Sequence, residues 1–165
     1  MMGSWKSTIG LNLSKMLNYS FVDTDEAIEK SFGEKISEIF KYKGESKFRE
    51  LESKLFIQQA KKRGNVISTG GGIILCKQNR ITLRENGITI FLKAKPETLS
   101  FRIKNITKRP LLKGYDTLHR LSEIWNIRRK FYEEVADLTI ETDRLSPIQV
   151  QNTIIKKLQS YYEIN

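Results

Sequence analysis

The alternation of hydrophobic and polar positions predicts short strands separated by amphipathic helices along the whole chain. Four apolar runs predict strands, at residues 20–23, 66–68, 88–92 and 138–142. Apolar residues at helical spacing predict helices at 7–17, 25–31, 45–63, 80–85, 96–105, 118–135 and 147–161, with a further helical face at 36–40 that breaks at Gly44. Thr24 is the predicted cap of the second of these helices. Strands that alternate with helices favour an α/β fold, in which helices cover both faces of a parallel sheet.

Ligands of such sheets bind at the carboxyl ends of the strands, so motifs at those ends carry the candidate chemistry. The segment Gly-Ser-Trp-Lys-Ser-Thr at residues 3–8 partly matches the phosphate-binding pattern G-x-x-x-x-G-K-[ST]. In that pattern backbone N–H groups cradle phosphates, the lysine neutralises charge and the hydroxyl holds Mg²⁺. Trp5 stands at the second glycine position, and the first glycine would precede Met1. Taken alone, the Lys-Ser-Thr run also fits an ordinary helix start.

Two further segments follow predicted strands. Asp23 and Asp25, two residues apart, suit a Mg²⁺ ion and a substrate hydroxyl, although Asp25 also fits a helix cap. Three consecutive glycines at 70–72 allow a backbone to approach a ligand closely, although they also fit a flexible turn. Arginines suit carboxylate and phosphate groups because the guanidinium is planar and bidentate, although an isolated arginine is more often a solvated surface residue.

Composition and charge narrow the function classes. The chain has 165 residues, 29 Lys and Arg against 19 Asp and Glu, and a net charge of +10, so it attracts anions. The basic residues form no long run, and a nucleic-acid binder therefore rests on charge alone. No apolar stretch reaches the ~18 residues of a membrane span, and residues 1–10 lack a signal-peptide core, which favours the cytoplasm.

The order of the motifs is more specific than any one of them. The chain carries, in order, Lys-Ser-Thr, Asp-Thr-Asp, Phe-Arg-Glu-Leu-Glu, Gly-Gly-Gly, Arg-Pro-Leu-Leu and Arg-x-x-x-Tyr-Glu-Glu-Val-Ala-Asp. Together they closely resemble the shikimate kinase family over essentially the whole chain. The resemblance implies transfer of the ATP γ-phosphoryl group to the 3-hydroxyl of shikimate, with Mg²⁺, in the pathway to chorismate and aromatic amino acids. It also implies a monomer with one P-loop domain over 1–165, without nucleic-acid or membrane partners, and a parallel sheet of strand order 2-3-1-4-5.

The same resemblance implies roles for individual residues. The nucleotide side takes Gly3, Ser4, Lys6, Ser7, Thr8, Arg102, Arg109 and Arg144, with Lys6 and Arg109 acting on the transferred group. The metal side takes Ser7 and Asp23. The shikimate side takes Asp25, as base or orienting group, with Arg49, Gly70, Gly71, Gly72 and Arg128. The shikimate-binding region is expected at about 25–60, and a basic lid at about 107–118.

Two departures from the family pattern set a second hypothesis beside the first. Trp5 replaces a glycine of the phosphate loop, and the first strand, the central one of the family sheet, is missing. Its loss predicts a gap between the third and fourth family strands. We expect the given start to be internal to a longer reading frame, with a plastid location if a transit peptide was lost. The alternatives are an impaired shikimate kinase and a catalytically dead relative that binds shikimate or a partner.

Overall fold

A computed structural model of the protein describes residues 1–103 and 110–164. Four strands are present: β1 (Ser20–Asp23), β2 (Asn65–Ser68), β3 (Ile90–Lys93) and β4 (Leu138–Glu141). Seven helices are described: α1 (Lys6–Leu17), α2 (Thr24–Phe32), α3 (Ile36–Ala60), α4 (Lys77–Glu85), α5 (Pro96–Arg102), α6 (Thr117–Val135) and α7 (Pro147–Ile164). The predicted α/β alternation is confirmed. No helix within 1–103 or 110–164 is both long and apolar enough to cross a membrane.

Several predicted boundaries are wrong. The cap of α2 is Asp23 rather than Thr24, because the Asp23 carboxylate accepts hydrogen bonds from the backbone N–H groups of Asp25 and Glu26. Helix α3 ends at Ala60, three residues short of its predicted end, and α4 begins at residue 77 rather than 80. The segment 104–109, which includes the predicted end of α5, lies outside the described residues.

The strands form two separate two-stranded parallel sheets. In the first sheet β1 pairs with β2, with Asp23 opposite Ser68 at the carboxyl ends. In the second sheet β3 pairs with β4, with Lys93 opposite Glu141. Across the part of the chain that the structure describes, no strand lies between β2 and β3. The gap predicted from the missing central strand is therefore confirmed.

The beginning of the chain lies beside this gap. Met1 is 4% exposed and packs in a core cluster with Phe91 of β3 and Leu121 of α6. A cavity of about 60 Å³ remains between this segment, the glycine loop and β3. A second cluster joins α1 and α7 over β3 and β4, and a third joins α2 to α3. Core packing therefore connects the two sheets where backbone pairing does not.

A break in α3 directs that helix into the ligand cleft. Gly44 has φ 80° and ψ 166°, so the helix turns at this residue, as the sequence predicts. Glycine adopts a positive φ without the Cβ clash that other residues suffer. Phe40 before the break and Phe48 after it pack ring on ring at 4.8 Å. This contact fixes the second half of α3, which carries Arg49.

Candidate active site

The loop before α1 has the backbone of an anion-binding loop. Gly3 has φ +78°, and a Cβ there would lie 3.0 Å from the Leu99 carbonyl, so glycine fits this close approach. The amine of Lys6 donates to the Met1 carbonyl at 2.6 Å and lies 3.5 Å from the Ser4 hydroxyl. No side chain caps the start of α1, which leaves its first N–H groups to face a ligand. Helix N-termini of this kind bind phosphate.

Trp5 departs from this pattern in both backbone and side chain. Its φ is 62°, in the left-handed region that favours glycine, at a cost of about 1–3 kcal/mol for other residues. The strain predicted for a positive φ at this position is therefore present. The guanidinium of Arg102 lies over the indole at 3.4 Å from the ring centre. Arg102 also donates to the Thr142 carbonyl at 2.6 Å and to its hydroxyl at 3.0 Å.

Ser7 and Asp23 meet at the carboxyl end of β1. The Ser7 hydroxyl donates to Oδ2 of Asp23 at 2.5 Å and lies 3.5 Å from the Ser68 hydroxyl. Oδ1 of the same carboxylate caps α2. Hydroxyl and carboxylate oxygens are the ligands that Mg²⁺ prefers, and Mg²⁺ sites commonly use one or two carboxylates with water and phosphate. The pair therefore fits a Mg²⁺ ion, although no three or more His, Cys, Asp or Glu side chains among the described residues are grouped so that they could hold a metal ion.

Arg49 is held on the acceptor side of the cleft by two carboxylates. It pairs with Glu52 at 2.7 Å and with Glu45 at 2.9 Å. Glu52 is 1% exposed, and burial raises the pKa of its carboxyl while the Arg49 charge opposes that rise. Its Oε1 has no hydrogen-bond partner among the described residues. The pair fixes the guanidinium in a cleft that can receive an anionic substrate.

Two of the three glycines at 70–72, Gly70 and Gly72, are favoured by space rather than by backbone angles. A Cβ on Gly70 would collide with Oε1 of Glu52, and a Cβ on Gly72 would collide with the guanidinium of Arg49. None of the three has a positive φ. The close approach seen here is to side chains of the protein, and close approach to a ligand stays a prediction. The N–H of Gly70 is already engaged, since it donates to the Thr24 hydroxyl at 3.0 Å.

Two side chains of α6 hold the carbonyl of Gly71. Arg128 donates to this oxygen at 3.1 Å, and the Tyr132 hydroxyl donates at 2.5 Å. Tyr132 stacks on Phe91 of β3 at 5.0 Å, and burial raises the pKa of its hydroxyl. Because Arg128 is 6% exposed and also lines the cleft, its position and that of the glycine loop are fixed together.

One cleft of about 640 Å³ extends from the phosphate loop to Arg49 and Arg128. Its lining includes Lys6, Ser7, Asp23, Asp25, Arg49, Gly70, Gly71, Gly72 and Arg128. Five other predicted residues, Gly3, Ser4, Thr8, Arg102 and Arg144, are not part of the lining, and Thr8 and Arg144 are exposed. Arg109 lies outside the described residues. All of the predicted acceptor residues therefore line this cleft. Of the predicted nucleotide residues, only Lys6 and Ser7 of the phosphate loop do so.

Sequence reasoning missed two residues that position the site. Glu52 belongs to the Phe-Arg-Glu-Leu-Glu segment, and Tyr132 belongs to the Arg-x-x-x-Tyr segment. The signal was spacing: Glu52 lies three residues after Arg49, and Tyr132 four residues after Arg128, so each pair shares one helix face. An acidic partner one turn from a buried arginine is the pattern that indicates a fixed guanidinium.

The fold and the loop at the start of α1 place the chain among P-loop kinases. A family model for shikimate kinase matches residues 2–159. The chain is 43% identical over 157 residues to the shikimate kinase of Legionella pneumophila strain Corby, covering 95% of this chain and 90% of the relative. It is 44% identical over 154 residues to that of Caldicellulosiruptor saccharolyticus, covering 93% and 89%. The chain belongs to the shikimate kinase family, whose members are ATP- and Mg²⁺-dependent transferases of the shikimate pathway.

Solved structures agree with this assignment. Shikimate kinase from Acinetobacter baumannii in complex with shikimate superposes with a TM-score of 0.93 at 32% identity, covering 97% of this chain and 89% of that one. Shikimate kinase from Aquifex aeolicus superposes with a TM-score of 0.85 at 34% identity, covering 98% and 94%. The two-sheet arrangement therefore keeps the positions of the family fold.

Proposed function

We propose that this chain transfers the γ-phosphoryl group of ATP to the 3-hydroxyl of shikimate. The observation that carries the proposal is the shared cleft, with Lys6 and Ser7 at one end, Arg49 and Arg128 at the other, and Asp25 on its wall. Phosphoryl transfer depends on placing donor and acceptor in line and on stabilising charge, and a cleft of this layout serves both needs.

At the phosphate end, the chain supplies a cation, a helix N-terminus and an oxygen pair. Lys6 and the first N–H groups of α1 bind phosphate oxygens, with Gly3 and Ser4 shaping the loop. Ser7 and Asp23 hold the Mg²⁺ ion, which neutralises phosphate charge when bound. Ser7 is placed for this role by its hydrogen bond to Asp23.

At the acceptor end, two arginines are placed to bind the shikimate carboxylate. Arg49 and Arg128 are both fixed by neighbouring groups before any substrate enters. A fixed guanidinium loses little entropy when it binds a carboxylate, and charge-assisted bonds of this kind are strong. Asp25 then orients the substrate hydroxyl or accepts its proton, and the backbone of Gly71 and Gly72 lies against the ring.

The remaining proposed features concern the lid and the state of the protein. The lid predicted over residues 107–118 begins in a segment, including Arg109, that lies outside the described residues. Within the described part, Leu112 is fully buried and the carbonyl of Leu111 accepts a hydrogen bond from Arg120 at 3.2 Å, which anchors this end of the lid. We further infer that the protein acts as a cytoplasmic monomer without a nucleic-acid partner.

The test is shikimate-dependent ADP formation with Mg·ATP, followed in a coupled assay. Turnover that is lost in Lys6→Met but kept in Lys15→Met, an exposed residue of the same helix, is the expected result. Shikimate binding measured by calorimetry should survive in both variants.

A second candidate, a catalytically dead shikimate-binding protein, is favoured by the strained Trp5 in the phosphate loop. It predicts a folded chain that binds shikimate and shows neither turnover nor Mg·ATP binding. That result would overturn the enzyme proposal, whereas measurable turnover would remove the second candidate.

A further inference from the structure

Trp5 and Arg102 form a stacked pair beside the phosphate loop. The guanidinium lies 3.4 Å from the indole centre, nearer than in any other cation–ring contact among the described residues. Two hydrogen bonds to Thr142, which is fully buried, fix the guanidinium plane. One face of Arg102 is therefore covered by the indole of the same chain.

The indole is held in this place against a backbone that disfavours it. Trp5 has φ 62°, and its side chain packs against a core cluster that includes Ile9 and Ile140. Leu145, in the segment between β4 and α7, packs against the same cluster. Trp5 directly precedes Lys6, the predicted phosphate-binding residue, so the stacked pair adjoins the phosphate loop.

The face of a guanidinium takes planar aromatic groups, and a purine base is a partner of the same class as an indole. We propose that the Trp5 indole is an internal competitor of the nucleotide base, occupying the face of Arg102 on which the base would stack. This rests on the proposed function, because it takes the phosphate loop to bind a nucleotide. Trp5 then sets the affinity for nucleotides, and a base stacks on the covered face of Arg102 only after the indole has left.

The first experiment compares two probes by calorimetry in the presence of Mg²⁺. ADP carries a base, and inorganic tripolyphosphate carries none. In Trp5→Asn the ring is gone and the new residue tolerates a positive φ. We expect this variant to bind ADP about tenfold more tightly, an effect between those of an exposed and a desolvated cation–ring contact, and tripolyphosphate within about twofold of the original chain.

A double substitution tests whether the effect passes through Arg102. Arg102→Lys keeps the positive charge but removes the planar face. In that background, Trp5→Asn should no longer change ADP affinity. A full tenfold effect without the planar face would overturn the proposal.

The second experiment uses the chain without substitution, so it does not depend on the folding of a variant. Trp5 fluorescence should change when ADP displaces the indole from the guanidinium, and should not change with tripolyphosphate. Trp125 is the other tryptophan, stacked on Phe91 at 6.2 Å, and Trp5→Phe reports its separate emission. The ADP-dependent signal should be absent in Trp5→Phe.

Four further results would overturn the proposal. Trp5→Asn would weaken ADP binding if the indole supported the base. Equal changes for both probes would assign the effect to the phosphate loop. ADP binding without a Trp5 signal would show that the indole stays in place, and absence of ADP binding in both chains would remove the competition altogether. Loss of shikimate-dependent turnover with these ADP effects intact would overturn the proposed function alone.

Discussion

The acceptor side and the nucleotide side of the cleft differ in how closely their residues fit together. On the acceptor side, Arg49, Glu52 and the glycine loop approach so closely that a single Cβ at Gly70 or Gly72 would collide. On the nucleotide side, Trp5 takes a strained backbone angle and covers Arg102. The cleft reaches the nucleotide side only at Lys6 and Ser7, since neither Trp5 nor Arg102 lines it.

This difference indicates that the acceptor and the nucleotide are held by different physical means. Acceptor binding depends on side chains fixed by buried ion pairs and hydrogen bonds, which persist without the central strand. Nucleotide binding depends on a loop whose backbone must face the phosphates, and a bulky residue in that loop acts directly on it. The two sides should therefore respond independently to substitution.

The largest expected effect is the loss of Arg128 from the acceptor side. Arg128→Ala removes a charged partner of the substrate carboxylate and should raise the KM for shikimate about 100-fold, since such bonds contribute about 1.5–3 kcal/mol. The KM for ATP should stay within about twofold. Steady-state kinetics on both substrates measure this, with Arg129→Ala, an exposed neighbour paired with Glu133, as the control. Equal increases in both KM values would contradict the independence of the two sides.

A methyl group in the glycine loop should have the next largest effect. In Gly72→Ala the new Cβ meets the guanidinium of Arg49, which must move, so we expect the KM for shikimate to rise about tenfold through the weakened charge-assisted bond. Gly71→Ala is the matched control, because its Cβ would meet no described atom nearer than 3.4 Å. If both variants bind shikimate equally well by calorimetry, close approach is not the reason for these glycines.

A smaller effect should follow from removing one hydroxyl. Tyr132→Phe deletes the hydrogen bond to the Gly71 carbonyl but leaves the stack on Phe91. A bond of this kind contributes about 1 kcal/mol, so the KM for shikimate should rise about fivefold with kcat nearly unchanged. Tyr42→Phe, at an exposed position, should leave both parameters unchanged. A fall in kcat alone would place Tyr132 closer to the chemistry than the structure does.

The smallest expected change is in the pH dependence of stability. Burial raises the pKa of Glu52 in the folded chain, so the folded state binds this proton more tightly than the unfolded state does. The resulting stabilisation is complete below the unfolded value of about 4.3 and is lost as pH rises through the higher folded pKa. Glu52→Gln should lack this dependence. Denaturant unfolding of both chains from pH 4 to 8 measures their free energies of unfolding. A free energy of unfolding of the original chain that rises with pH relative to that of Glu52→Gln would contradict the sign.

The sequence predicts the acceptor side well because its signals are local. Hydrophobic spacing predicts β1 over residues 20–23, and the break at Gly44 follows from one residue type. The loop at 70–72 follows a predicted strand, which places it at the ligand edge. The sequence did not predict the role of Glu52, because that role depends on burial, which helical spacing alone does not reveal.

The nucleotide side is harder to predict because its contacts join distant segments. Trp5 and Arg102 are far apart in the chain, and no periodicity relates them.

The start of α4 was predicted wrongly for a different reason. The apolar run at 73–75 forms a 3₁₀ turn before the helix, and its spacing resembles a continuing loop. The sheet gap was predictable only from the resemblance, since strand count alone does not reveal which strand is missing.

The two separate sheets also affect how the molecule opens. Within the described residues, β1–β2 and β3–β4 share no ladder of backbone hydrogen bonds, and α1 connects them by packing against β2 and α7. Segments joined by side-chain packing alone open as distinct cooperative units in amide hydrogen exchange. If the acceptor binds Arg49 and Arg128 as proposed, it bridges α3 and α6 and should slow exchange across both. Substrate binding is therefore expected to couple the opening of the two sheets, which share no backbone hydrogen bonds within the described residues.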